Sequence, residues 1–442
     1  MSGAAAGDHR HAPIRLLRLL LLGGMVGLAC WPLNAIDHLQ DRLLTLLPAW
    51  TGTGWSLAGL LLAVAPTAAM PLLLLLQSGP LREATGSGIP QTIESLEHPD
   101  RTADLLGWRT TLARLLGWIG ASLALMPLGR EGPLVQLGSA VARGVQERWP
   151  RLLPQLDRRT LVAIGAGAGL AGGFNSPLMG SVFVLEELVG RYQAGLLWPT
   201  ALVCAAAALV SNLAGMPLYD LGVLSTTEPE WLQLFWGVLI GAGAGGLGGL
   251  MAWLLLRAGR ILQQPLRRRP LTWGLGLGGC LTLMILLSGG WSGGDGEALM
   301  RQLLSDAPVQ LPVPSTEAQA WSGILRWLLV LVCRLIGPVL ALAAEVPGGL
   351  IDPAFGLGSL VGYGLMELGG GNPELGLALG MAGGLAGSTQ LPLMTVLFAL
   401  RMVGDQQWLL GVLVSAVVGA TVGRWIQPRP IYRALLDQQQ QR

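Results

Sequence analysis

The sequence has no lysine and little charge of either sign. All 28 basic residues are arginine, and charged residues fill only 12% of its 442 positions, against roughly 25% in soluble domains. With 52% of residues hydrophobic, the composition excludes a soluble globular protein and describes a polytopic membrane protein. Cysteine is scarce: Cys30, Cys204, Cys280 and Cys333 are scattered through apolar sequence with neither disulfide nor metal-ligand spacing, and read as small core residues. Histidine is equally sparse. His9, His11, His38 and His98 lie in or beside polar segments, no His-Glu-x-x-His occurs, and Thr85-Gly86-Ser87-Gly88 is not a Gly-x-Ser-Gly nucleophile motif. Neither an enzyme nor a bound cofactor is expected. What the chain has in excess is 65 glycines and 28 prolines, more than simple spanning helices need. They point to close helix packing and to helices broken inside the membrane, which usually serve a binding site.

The arginines are unevenly placed. His9, Arg10, His11, Arg15 and Arg18 precede the first apolar run; Arg143, Arg148, Arg151, Arg158 and Arg159 cluster, as do Arg257, Arg260, Arg267, Arg268 and Arg269; Arg424, Arg429 and Arg433 close the chain. Acidic residues gather elsewhere, at Asp220, Glu228 and Glu230 and at Asp295, Glu297, Asp306 and Glu317. The positive-inside rule then places both termini and the arginine loops in the cytoplasm. Patches this short, flanking membrane segments, do not make a nucleic-acid surface. The basic and then apolar start resembles a signal peptide, but Gly27-Leu28-Ala29-Cys30 is a poor cleavage site, so an uncleaved first membrane helix is expected.

Apolar runs able to cross or enter a bilayer lie near 14–33, 55–77, 105–128, 160–174, 192–214, 232–256, 272–289, 321–343 and 407–423. Shorter ones near 133–144, 177–189, 353–367, 374–387 and 392–403 cannot span alone and read as half-helices. The polar stretches near 215–230 and 290–320 read as external loops. An internal repeat organises these pieces. Gly132-Pro133-Leu134-Val135-Gln136-Leu137-Gly138-Ser139 echoes Asp352-Pro353-Ala354-Phe355-Gly356-Leu357-Gly358-Ser359, 220 positions on; Ser176-Pro177-Leu178-Met179 echoes Leu391-Pro392-Leu393-Met394, 215 on. Short, Gly/Pro-interrupted segments at matching places in two halves point to a transporter with its site at the repeat interface. The expected division is 1–54 for the N-terminus and first membrane helix, 55–230 and 231–423 for the two repeats, and 424–442 for a C-terminal segment with a short cytoplasmic tail.

Glu131, in Gly129-Arg130-Glu131-Gly132-Pro133, is the leading functional residue. An ionisable group at membrane depth costs roughly 2.5 kcal/mol or more on insertion scales. The amides opening the helix that follows have no internal partners and attract anions. A carboxylate tethered beside such a site can occupy it when charged and leave when protonated, which couples anion passage to protons; the bland alternative is an ion pair with Arg130 in a surface loop. Ser87, in Gly86-Ser87-Gly88-Ile89-Pro90, adds a neutral donor at another helix start, or is a plain N-cap. Glu186 and Glu187 end an apolar helix before Arg191. Adjacent positions project about 100° apart on a helix, so at least one carboxylate faces protein or water.

These motifs, with Phe174-Asn175-Ser176-Pro177-Leu178, Gly348-Gly349-Leu350-Ile351-Asp352-Pro353 and Tyr432, resemble the chloride channel (CLC) family of anion channels and proton-coupled antiporters over nearly the whole length. The resemblance implies an all-α polytopic membrane fold, an inverted repeat with many tilted and broken helices, in a homodimer whose subunits each hold a pore. It implies that the hydroxyls of Ser87 and Tyr432 and the amides of Leu350 and Ile351 bind the central anion. Gly88 and Ile89, which follow that serine, and Arg130 and Gly132, which flank the gate, are expected to belong to the same anion-binding set. Glu131 is then the extracellular gate and proton acceptor, and Glu187 the intracellular proton relay that channels typically lack. Chloride/proton antiport across a prokaryotic plasma membrane follows, with chloride and protons as substrates. A passive channel is the runner-up; a fluoride-selective relative fits Ser87 less well, and a nitrate-selective one is expected to carry proline there. Three positions depart from the family pattern. Ile351 replaces a usual phenylalanine. Asp352 replaces a small neutral residue, either as N-cap of the next helix or as a competitor of the anion for its amides. Arg401 stands where many relatives carry glutamate.

Overall fold

The computed structural model describes residues 8–79, 82–214, 221, 229–305, 320–404 and 406–441. Asp220, Glu228, Asp306 and Glu317, assigned above to external loops, lie outside that set. Among the described residues the regular structure is helical. In chain order it comprises α1 (Asp8–Leu44), α2 (Pro48–Thr51), α3 (Leu57–Ser78), α4 (Ile89–Glu97), α5 (Thr102–Leu105) and α6 (Trp108–Leu123). Next come α7 (Glu131–Arg148), α8 (Arg158–Phe174), α9 (Pro177–Phe183), α10 (Ala194–Ser211), α11 (Glu230–Arg268), α12 (Pro270–Leu287) and α13 (Glu297–Leu303). The series closes with α14 (Ala320–Ala343), α15 (Ile351–Gly369), α16 (Pro373–Thr389), α17 (Pro392–Val403), α18 (Leu409–Ile426) and α19 (Ile431–Gln440).

Six of these helices are long and apolar enough to cross a membrane, and in the least covered, Pro270–Leu287, only 28% of the apolar window is buried by protein. The remainder presents leucine and tryptophan outward, as a lipid-facing surface does. Two helices outrun their apolar stretches. α1 and α11 reach 37 and 39 residues because hydropathy stops at the flanking polar residues while helix propensity does not: Arg257, Arg260 and Gln263 are good helix formers.

The chain divides into two compact units, 1–35 with 91–111 and 134–216, and 36–90 with 112–133 and 217–442. In each, helices meet at glycines. Within the first, Gly167 of α8 faces Gly180 of α9; within the second, Gly358 and Gly362 of α15 face Gly380 and Gly376 of α16, and Gly245 of α11 faces Gly419 of α18. A methyl group at any of these positions would overlap the facing backbone. Lipid offers no hydrophobic drive for helix association, so close van der Waals approach holds the helices together.

The repeat is visible in the backbone. The four non-glycine residues with positive φ among those described form two pairs, Leu125 with Glu345, 220 apart, and Asn175 with Gln390, 215 apart. Those are the offsets of the sequence repeat. Gly129 and Gly349, also 220 apart, exchange reciprocal bonds, N–H to carbonyl at 3.0 and 2.8 Å. Equivalent residues bonded to each other are what a local two-fold relation demands. Arg114 and Arg334 keep the same spacing, and both are buried.

The 290–320 segment corrects an expectation. Its described part is no external loop: Trp291, Ser292, Asp295 and Glu297 are all buried. Arg334 holds the turn inside, its Nε, Nη1 and Nη2 donating to the carbonyls of Trp291, Gly294 and Gly293 at 2.7, 2.8 and 2.9 Å. Positive φ at Gly289, Gly290, Gly294 and Gly296 lets the chain fold back over that guanidinium.

Candidate functional site

Glu131 is the first residue of α7 and is fully buried. Its Oε1 accepts the backbone N–H of Asp352 at 2.6 Å, in the first turn of α15, and the carboxylate also accepts its own N–H. A carboxylate on an unsatisfied amide at a helix N-terminus is a short, charge-assisted contact. Gly129 and Gly349 make room for it: a Cβ on either would overlap the Glu131 carboxylate. Two motifs, one in each half of the sequence, therefore each spend a glycine on one side chain. An ion pair between Glu131 and Arg130 in a surface loop is overturned by this burial.

One residue on, Gly132 touches Ser87, whose carbonyl and hydroxyl occupy the space a Cβ would take. Ser87 precedes α4, with Gly86 and Gly88 at φ 78° and 108° turning the chain into Ile89. The Gly86 N–H donates to the Glu345 carbonyl at 2.8 Å, which fixes this turn beside the segment that leads into α15. Ser87, Leu350 and Tyr432 line one cavity of about 40 Å³, above the ~10–15 Å³ that one water needs. The Ser87 hydroxyl is buried without a hydrogen-bond partner among the described residues. Tyr432, 1% exposed, enters from the first turn of α19. Leu350 and Ile351 open α15, so their amides lack intrahelical acceptors.

Arg130 points elsewhere. Its guanidinium forms ion pairs with Asp37 and with Glu297, the latter at 3.7 Å, both carboxylates being buried. Glu187, in the first unit, is 6% exposed, whereas neighbouring Glu186 is only half-buried. Both lie in a π-helical turn, Val184–Val189, that continues α9 and stops at Gly190 with φ 65°. Such turns recur at functional sites because the widened turn re-aims side chains.

Asp352 is not the N-cap of α15. That position is Leu350, with no side-chain cap, and Asp352 follows the first helical residue. Ile351 is wholly buried, and Arg401 sits in the last turn of α17, where a cation suits the helix terminus.

Sequence reading missed Asp37, Asp295 and Arg334. A signal for Asp295 exists in Gly294-Asp295-Gly296, which matches Gly86-Ser87-Gly88. The Gly294 N–H donates to Leu125 as the Gly86 N–H donates to Glu345. Asp295 thus stands in the second repeat where Ser87 stands in the first.

Broken helices whose amino ends meet at a buried carboxylate and a small cavity edged by two hydroxyls, related by a local two-fold, define a membrane transport protein of the discontinuous-helix type. The chain belongs to the voltage gated chloride channel family, whose sequence profile matches residues 68–424. It is 31% identical over 376 residues to the H(+)/Cl(-) exchange transporter ClcA of Vibrio cholerae serotype O1, covering 80% of this chain and 74% of that one. Against ClcA of Yersinia pseudotuberculosis serotype IB the identity is 28%, covering 95% and 87%. Its fold is similar to the crystal structure of a slow cyanobacterial Cl-/H+ antiporter, with TM-score 0.74, 20% identity and coverage of 97% and 98%. A CLC-type fluoride/proton antiporter is less similar in fold, with TM-score 0.65, 24% identity and coverage of 95% and 98%.

Proposed function

We propose that the protein is a secondary active chloride/proton antiporter. The observation that carries the reading is the Glu131 carboxylate seated on the α15 amide of Asp352. A dehydrated anion seeks the same kind of donor, so carboxylate and chloride exclude one another there. In the proposed cycle Glu131 leaves its seat on taking a proton, chloride moves onto the freed amides, and deprotonation returns the side chain. Ser87 and Tyr432 supply neutral hydroxyls, and Leu350 and Ile351 supply amides, so the anion is held without a fixed positive charge and is released again. Gly88, Ile89, Arg130 and Gly132 shape the backbone around that path. Glu187 is assigned the proton's route from the cytoplasmic side, and its burial supports antiport over a passive channel.

The repeats 55–230 and 231–423 are proposed as the two inverted halves, in a homodimeric protein of a prokaryotic plasma membrane with both termini cytoplasmic. The test is proton movement driven by a chloride gradient in liposomes. The native protein is expected to move protons against chloride, and Glu131→Ala to pass chloride with proton movement abolished. Native protein that passes chloride without protons would identify a channel instead.

A further inference from the structure

Asp352 has no structural employment that its position explains. It is 3% exposed, it caps nothing, and its Oδ2 has no hydrogen-bond partner among the described residues. The helix dipole favours a first-turn acid on a surface, but that does not account for burying one. Charged groups face it from two directions: Glu131 and Arg130 from the segment opening α7, and Asp295 and Glu297 from the turn and helix at α13. Arg130, the cation among them, pairs with Asp37 and Glu297. The amide that seats Glu131 and this carboxylate belong to the same residue.

We propose that Asp352 is a second acidic element of the anion path, a specificity-determining residue that makes the seat vacated by Glu131 hold an anion only while Asp352 is protonated. An anion on the Asp352 amide lies a few ångströms from the Asp352 carboxylate, inside a buried site where like charges are poorly screened. Anion affinity then carries a proton dependence separate from that of the gate. The inference rests on Glu131 being the gate, and its test separates the two.

Chloride binding is measured by titration calorimetry across pH for four proteins: native, Glu131→Ala, Asp352→Asn and the double variant. With the gate side chain gone, Glu131→Ala is expected still to lose chloride affinity as pH rises. Adding Asp352→Asn is expected to flatten that slope and to tighten chloride by about tenfold above neutrality. A Glu131→Ala protein whose affinity is already independent of pH overturns the proposal, and this arm decides even if Asp352→Asn fails to fold. A double variant with an unchanged slope also overturns it. Failure of the gate reading would appear elsewhere, as full proton coupling by Glu131→Ala in liposomes.

Discussion

At the scale of single residues, the site depends as much on absent side chains as on present ones. Glu131 fits because positions 129 and 349 have no Cβ, and neither glycine has positive φ, so alanine is allowed there by the backbone. What a new methyl would meet is the far end of the Glu131 side chain, which can move away. Gly349→Ala is therefore expected to fold normally while holding Glu131 off its amide. In chloride-driven flux assays it should keep chloride transport and lose most proton coupling. A variant with native coupling would show that the carboxylate has room the structure does not give it. The motif around Glu131 was legible in sequence because a carboxylate between glycines at membrane depth has few uses. Asp37 was not, since nothing local marks an aspartate near the end of an apolar helix as buried beside an arginine more than ninety positions away.

At the scale of elements, buried arginines anchor the turns that precede the broken helices. Arg334 satisfies three carbonyls of the 289–296 turn, and Arg114 donates to Thr85 at 2.9 Å next to Ser87. Arg334→Met fills similar volume and leaves those carbonyls without their donor, at an expected cost of about 2–4 kcal/mol. Thermal unfolding in detergent should show a clear loss of stability, and a native melting point would mean that the turn is held by other contacts. Half-helices at 353–367 and 392–403 were predicted nearly in place, because proline starts the second, stands two residues inside the first, and glycine follows the end of each. The described part of the polar stretch, 290–305, was misplaced for the opposite reason. Its polar residues resemble a solvated loop until Arg334, forty positions away, is seen to hold the turn inside.

At the scale of the whole molecule, charge distribution gives a testable orientation. α11 begins with Glu230 and ends with Arg267 and Arg268, and at 39 residues it spans roughly 58 Å, more than a bilayer core. In a background lacking Cys280, the exposed native cysteine, single cysteines at Glu230 and Arg268 are expected to react with an impermeant maleimide from opposite faces of the membrane. The first should label from outside and the second only from the cytoplasmic side. Labelling of Arg268→Cys from outside would reverse the assigned topology.

The sequence by itself determined that this is a membrane protein of repeated, interrupted helices, with Glu131 and Ser87 at helix starts. Hydropathy, proline and glycine act locally, so they are readable along the chain. Which buried groups share one site was decided only by tertiary structure. The Asp352 amide meets Glu131 across 221 positions, and Arg130 turns to Asp37 and Glu297 rather than to the carboxylate beside it. Partner choice among buried charges follows from the scarcity of donors in a space that water does not reach, and the fold alone distributes those donors.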